Sequence, residues 1–92
     1  MLTITDRVML VDLSNFSLGA TITVYEVGII ILRHTVSDVS EVKEKVIEVA
    51  VEMEVEDVFI RPLATSDREK TLEDFENSLV SKNIDKINFH ML

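Results

Sequence analysis

The sequence feature that most constrains the fold is a run of sixteen residues, 20–35, that is dense in β-branched side chains. Polar and apolar residues alternate in its first half, which is the two-residue period of a β-strand. One strand of this length would extend about 50 Å, whereas most strands have about 3 to 10 residues. The run therefore predicts a break at Gly28, either a bulge or a hairpin turn through Glu26 and Val27. Residues 29–32 are apolar enough to predict a central strand covered on both faces.

The other elements are predicted from the spacing of their apolar residues, which is two in a strand and 3.6 in a helix. Strands are predicted at residues 7–13, 55–63 and 86–92, and amphipathic helices at residues 38–53 and 66–81. Ser66 and Glu69 have the spacing of a capping box, and Asn83 is the predicted C-cap of the second helix. The order ββ(β)αβαβ predicts a single α+β domain over residues 1–92. It would contain an antiparallel or mixed sheet of 4–5 strands with two helices packed on it.

Composition limits the classes of function that the chain can have. The chain is 47% hydrophobic, which is too apolar for disorder, and it has no cysteine for a disulfide, a thiolate zinc site or a thiol nucleophile. The lack of cysteine favours a reducing compartment, so a cytoplasmic location is expected. The longest apolar run, residues 27–32, is far shorter than the roughly 20 residues of a membrane helix. The net charge of -8 opposes direct binding to nucleic acid or anionic lipid and favours a basic protein partner.

No arrangement of residues indicates catalysis, and we predict a protein that is not an enzyme and that uses neither a cofactor nor a metal. His34 and His90 are far apart in the chain, and neither has a second histidine or a cysteine at ligand spacing. Glu54, Glu56 and Asp57 lie close together but lack the glycine-containing loop of an EF-hand. With only two glycines the chain has no glycine-rich phosphate loop.

The acidic residues are concentrated in two segments. Residues 38–57 carry a net charge of -6 and residues 67–76 a net charge of -3, while the rest of the chain sums to +1. One interpretation is that the two helix faces only keep the protein soluble. The functional interpretation is that their carboxylates imitate DNA phosphates and bind the Lys and Arg side chains of a DNA-binding protein. The candidate binding residues are Asp38, Glu41, Glu44, Glu48, Glu52, Glu56, Asp57, Glu69, Glu73 and Glu76.

The spacing of these carboxylates predicts a homodimer. Along a helix they occur once per roughly 5 Å, whereas each strand of duplex DNA carries a charge about every 3.4 Å. One helix is therefore too sparse, and both helices, with a second copy of the chain, are needed to match a duplex. The apolar C-terminal strand is a predicted sheet edge through which two copies can pair or pack.

In length, in acid excess and in the acidic run from Val36 through Asp57 into the second helix, the chain resembles the Arn anti-restriction proteins of T-even phages. The resemblance extends over the whole chain in size and charge. It implies a phage-encoded homodimer that acts in the cytoplasm of the host cell. Its negative surface would occupy the DNA-binding site of a host restriction endonuclease or nucleoid protein.

The competing prediction is a small α+β regulatory or assembly module. Such a module would bind a protein partner through its sheet edge or through an apolar loop at Phe16 and Leu18, and its acids would serve solubility only. Substituting Phe16 or Phe89 would then abolish binding, whereas neutralising the carboxylates would leave it unchanged.

Overall fold

The strands that the structure describes form one mixed sheet. A computed structural model of the chain describes residues 7–13, 19–62, 68–84 and 86–92. Within these residues the elements, in chain order, are β1 (Arg7–Asp12), β2 (Ala20–Glu26), β3 (Ile29–Val36), α1 (Val39–Glu52), β4 (Asp57–Arg61), α2 (Arg68–Ser81) and β5 (Asn88–Met91). The sheet order is β3-β2-β1-β4-β5, antiparallel among β1, β2 and β3 and parallel among β1, β4 and β5.

The α+β class, the mixed sheet and the order of elements predicted from the sequence are confirmed. The predicted break in the run 20–35 is a hairpin. Its turn residues are Val27 and Gly28, one position later than predicted, with φ angles of 51° and 80°. Positive φ at both central residues is what a tight type I′ hairpin turn requires. The loop at Phe16 and Leu18 and the first two residues of the capping box, Ser66 and Asp67, lie outside the described residues.

The prediction that residues 29–32 form a central strand is wrong. In the described part of the chain β3 lies at an end of the strand order, and Ile29, Ile30 and Ile31 are exposed. The physical reason lies in the connection that follows the strand. The chain leaves β3 through α1 and crosses over β2 and β1 before it pairs again as β4, so no described strand covers the outer side of β3.

Both helices pack on the same face of the sheet. Met9 is registered with Val24 on β2 and with Val58 on β4, and these three side chains are fully buried. Registered residues point to the same face of a sheet, and Val46 of α1 and Phe75 of α2 belong to the core cluster on that face. The helix layer and the sheet therefore enclose one core, and the opposite sheet face remains uncovered by either helix.

Each helix ends in a Schellman motif. After α1, Val55 N–H donates to Ala50 O at 2.8 Å, and Glu54 adopts a left-handed conformation with φ 56°. After α2, Ile84 N–H donates to Leu79 O, and Asn83 adopts the same φ of 56°. The predicted end of α2 at Asn83 is confirmed. Asparagine tolerates the left-handed region through its short polar side chain, whereas glutamate has no such compensation.

Candidate functional site

The acidic stripe is the row of four glutamates on the outer side of α1, and all four are exposed. They are Glu41, Glu44, Glu48 and Glu52. Successive helical residues are 100° apart, so this row lies opposite the buried residues Val42, Val46 and Val49. Asp38 is exposed just before the helix, and its carbonyl oxygen accepts the Glu41 N–H at 3.1 Å. Core packing of the valines therefore fixes the direction in which the carboxylates point.

The acidic stripe lies on the crest of α1 between two grooves. The groove on the β3 side is lined by Glu41, Glu44, Lys45 and Glu48 together with residues 34–37, at and just after the end of β3. The groove on the α2 side is lined by Glu44, Glu48 and Glu52 together with Lys82 and Ile84 after α2. A partner that contacts the crest of α1 therefore meets carboxylates along its whole length.

One basic side chain pairs with the acidic stripe in the described part of the chain. Lys45 Nζ lies 3.7 Å from Glu48 Oε1, one turn along the helix, and the Glu48 side chain is 63% exposed. Exposed pairs of this kind contribute about 0–1 kcal/mol because water and salt screen them. The stripe therefore keeps a net negative charge.

The second helix adds three exposed carboxylates to the same layer. Glu69, Glu73 and Glu76 are spaced at i, i+4 and i+7 on α2, away from buried Phe75. Arg68 precedes them, and its Nη2 donates to the backbone oxygen of Met91 at 3.3 Å. Because both helices lie on one sheet face, the structure brings the carboxylates of α1 and α2 into one molecular layer.

Two of the predicted site residues lie outside the two helices, and one of them, Asp57, points away from the helix layer. Asp57 precedes buried Val58 on β4, so its side chain points to the opposite sheet face. There its Oδ1 lies 3.0 Å from His90 Nε2, and the His90 ring stacks on Phe59 with 4.8 Å between ring centroids. Glu56 is exposed in the connection after α1 and lines a groove at the C-terminal ends of the helices.

The sheet face opposite the helices differs in charge from the helix layer. Its described acids have basic neighbours: Asp57 contacts His90, and Asp12 lies 4.0 Å from Arg61. The α1 crest instead carries four glutamates with a single ion pair among the described residues. Sequence periodicity gave the direction of each helix face, but it contained no signal that the excess charge would lie on one side of the sheet.

Among the described residues no three His, Asp or Glu side chains come together in a way that could hold a metal ion. The two histidines lie on different strands, His34 on β3 and His90 on β5, and both are exposed. None of the described helices has the length and apolar character needed to cross a membrane.

Comparison of the chain with protein-family models, with curated proteins and with solved structures finds no match.

Proposed function

We propose that this protein is a non-catalytic, acidic inhibitor that imitates DNA and occupies the DNA-binding site of a host DNA-binding protein. The observation that carries the proposal is that the carboxylates of α1 and α2 are exposed in one layer on one face of the sheet. Restriction endonucleases and nucleoid proteins bind DNA largely through Lys and Arg contacts to phosphates, so the same side chains can bind a row of carboxylates. Such partners work in the cytoplasm, which is the location we propose.

The density of charge supports a surface made by more than one helix. From Glu41 to Glu52 the stripe spans about 17 Å at 1.5 Å per residue and holds four carboxylates, or one per roughly 5 Å. Each DNA strand has a phosphate about every 3.4 Å. The α2 carboxylates increase the density of the layer, and a homodimer would double it. The proposed inhibitor is therefore a dimer.

The test begins with capture of partners by the tagged protein from host lysate at low and at high salt, followed by mass spectrometric identification. We expect basic DNA-binding proteins that elute with salt, because attraction between exposed charges is screened beyond about 8 Å at physiological ionic strength. Duplex DNA is expected to compete with the inhibitor for such a partner.

A matched pair of variants then locates the binding surface. Glu44→Gln/Glu48→Gln removes two charges from the helix layer, and Asp12→Asn/Asp57→Asn removes two from the opposite sheet face. The first pair should weaken partner binding at least tenfold, which corresponds to about 1.4 kcal/mol, and should reduce its salt dependence. The second pair should leave binding near the wild-type value. Equal effects of the two pairs, or binding that is indifferent to salt, would contradict the proposal.

A second candidate function is a module that binds a protein partner through its sheet edge, and the exposed isoleucines of β3 favour it. This candidate predicts that a substitution at Ile30 abolishes binding of a different protein while Glu44→Gln/Glu48→Gln has no effect. Phe89 is less informative than the sequence suggested, because its ring packs on buried Phe75 with 5.2 Å between centroids. Replacing it would disturb the core as well as any interface.

A further inference from the structure

The two ends of the sheet differ in how they are protected against pairing. β3 has eight residues and extends about 26 Å, whereas β5 at the other end has four. Proteins protect exposed sheet edges with short strands, lysine, proline, β-bulges or inward-pointing charge. β5 is short, whereas β3 is long, contains neither lysine nor proline, and has one irregularity, a register shift opposite Val24 and Tyr25 that leaves Ile31 without a partner on β2. Within the described residues the outer side of β3 therefore presents backbone N–H and C=O groups that are available for pairing.

The side chains on and beside this edge are apolar and exposed, as expected for a surface that binds another protein. Val27 is 72% exposed, Ile29 68%, Ile30 51% and Ile31 38%. These four apolar residues are adjacent in the chain except for Gly28, and they form the most continuous exposed apolar segment in the described chain. Burial of such side chains stabilises an interface by roughly 25 cal/mol per Å² of apolar surface removed from water. A free edge and an apolar strip coincide on one strand.

We propose that β3 pairs antiparallel with β3 of a second copy of this chain, around a two-fold axis perpendicular to the sheet. The strand contains no acidic residue, and its charged or titratable side chains are Arg33 and His34. In a chain of net charge -8, the strand itself therefore carries no carboxylate that would face another across the pairing. A second copy also supplies the same apolar residues and the same free backbone groups, which is the self-complementarity of a two-fold interface.

Pairing of this kind would complete the acidic surface, and in this respect the inference rests on the proposed function. A two-fold axis perpendicular to the sheet keeps the helices of both copies on one face. The groove beside the acidic stripe is lined by Glu41, Glu44, Lys45 and Glu48 and by residues 34–37, at and just after the end of β3. The stripes of the two α1 helices would then lie on one face of the joined sheet as a joined acidic surface, related by the two-fold axis. Each stripe would lack its counterpart in the monomer.

The mass in solution tests the pairing without any DNA-binding partner. Sedimentation of the wild-type protein should give twice the 10.5 kDa mass of one chain. Ile30→Lys should raise the dimer dissociation constant at least tenfold, because it places a charge in the apolar strip that the interface would bury. Val80→Lys is the matched control, since Val80 is 74% exposed on α2 and should leave the dimer intact. Far-UV circular dichroism checks folding, and Ile29→Lys serves as a second edge variant.

Hydrogen exchange of the backbone identifies the strand that pairs. Peptides covering β3 should exchange slowly at high chain concentration and faster on dilution or in Ile30→Lys, whereas the β5 peptide should not respond. A monomeric wild-type protein, or concentration-dependent protection of β5 in place of β3, would overturn the inference. A dimer that binds no DNA-binding protein would overturn the proposed function and leave the pairing intact. Salt-dependent binding to a DNA-binding protein that is unchanged in Ile30→Lys would overturn the joined acidic surface and leave the proposed function intact.

Discussion

Lys45 Nζ lies 3.7 Å from Glu48 Oε1, and within the described residues this is the contact through which a basic side chain reduces the charge of the acidic stripe on α1. Both side chains are partly exposed, so the pair adds little to the free energy of unfolding. Its importance lies in binding, because Lys45 competes with a partner's Lys or Arg for the same carboxylate.

Lys45→Gln is therefore expected to strengthen binding to a basic partner by about two- to fivefold, the equivalent of a surface pair of roughly 0.5–1 kcal/mol. Arg61→Gln is the matched control, because Arg61 also lies in an exposed pair, with Asp12, but on the opposite sheet face. Titration calorimetry with a captured partner at low and high salt measures both. A gain of the same size in Arg61→Gln would show that net charge, and not the position of the charge, controls affinity.

Val27 holds a strained backbone conformation in the β2–β3 turn. Its φ of 51° lies in the left-handed region, which β-branched residues rarely adopt. Val27→Asn should raise the free energy of unfolding by about 1 kcal/mol, because asparagine followed by glycine is preferred in this turn. Urea unfolding at low chain concentration measures the change. Val80→Asn, at another exposed valine, should give no gain, and a gain there would contradict the explanation from the turn.

Glu54 is strained for the same reason at the end of α1, where φ is 56°. Glu54→Gly should stabilise the protein by about 0.5–1 kcal/mol, because glycine has no Cβ to oppose the left-handed conformation that ends the helix. Glu54→Gln is the control that removes the charge and keeps the Cβ. In thermal unfolding, Glu54→Gly should melt at a higher temperature than Glu54→Gln. Equal melting temperatures would show that loss of the charge, and not loss of the Cβ, causes the effect.

Gly19 lies where the chain passes close to the end of β3. Its φ is 93°, and a Cβ at this position would lie 2.8 Å from the carbonyl oxygen of Val36. Gly28 also has positive φ, at 80°, but a Cβ there would have no atom within 4 Å. Gly19→Ala should therefore destabilise the protein by more than Gly28→Ala, which loses about 1–2 kcal/mol from its φ alone. Denaturant unfolding of both variants measures the difference. Equal losses of stability would contradict the predicted clash between the new Cβ at position 19 and the Val36 carbonyl oxygen.

The local elements of the fold were predictable because their signals are local. Residues 38–53 have a helical period strong enough to outweigh the modest helix propensity of valine, and α1 forms there. The alternation in residues 7–13 and 86–92 likewise gives β1 and β5. Gly28 marked the break between β2 and β3 and Val27 was expected in the turn, but only the structure shows that Gly28, and not Glu26, is the second turn residue.

The arrangement of these elements was not predictable, because it depends on which strands pair. Ile29, Ile30 and Ile31 have the composition of a buried strand, and the crossover through α1 leaves them at the sheet edge. Asp57 belongs to an acidic segment of the sequence, and the strand period of β4 turns it away from the helices towards His90. Burial and orientation are relations between distant segments, which no short window of sequence contains.

The sequence by itself determined where strands and helices form, which side of each helix is acidic, and that the excess negative charge belongs to the two helical segments. Only the tertiary structure decided that both helices cover one face of the sheet and that β3 is an exposed apolar edge. Periodicity fixes the direction of a side chain relative to its own element. The packing of elements around a shared core fixes that direction relative to the rest of the molecule.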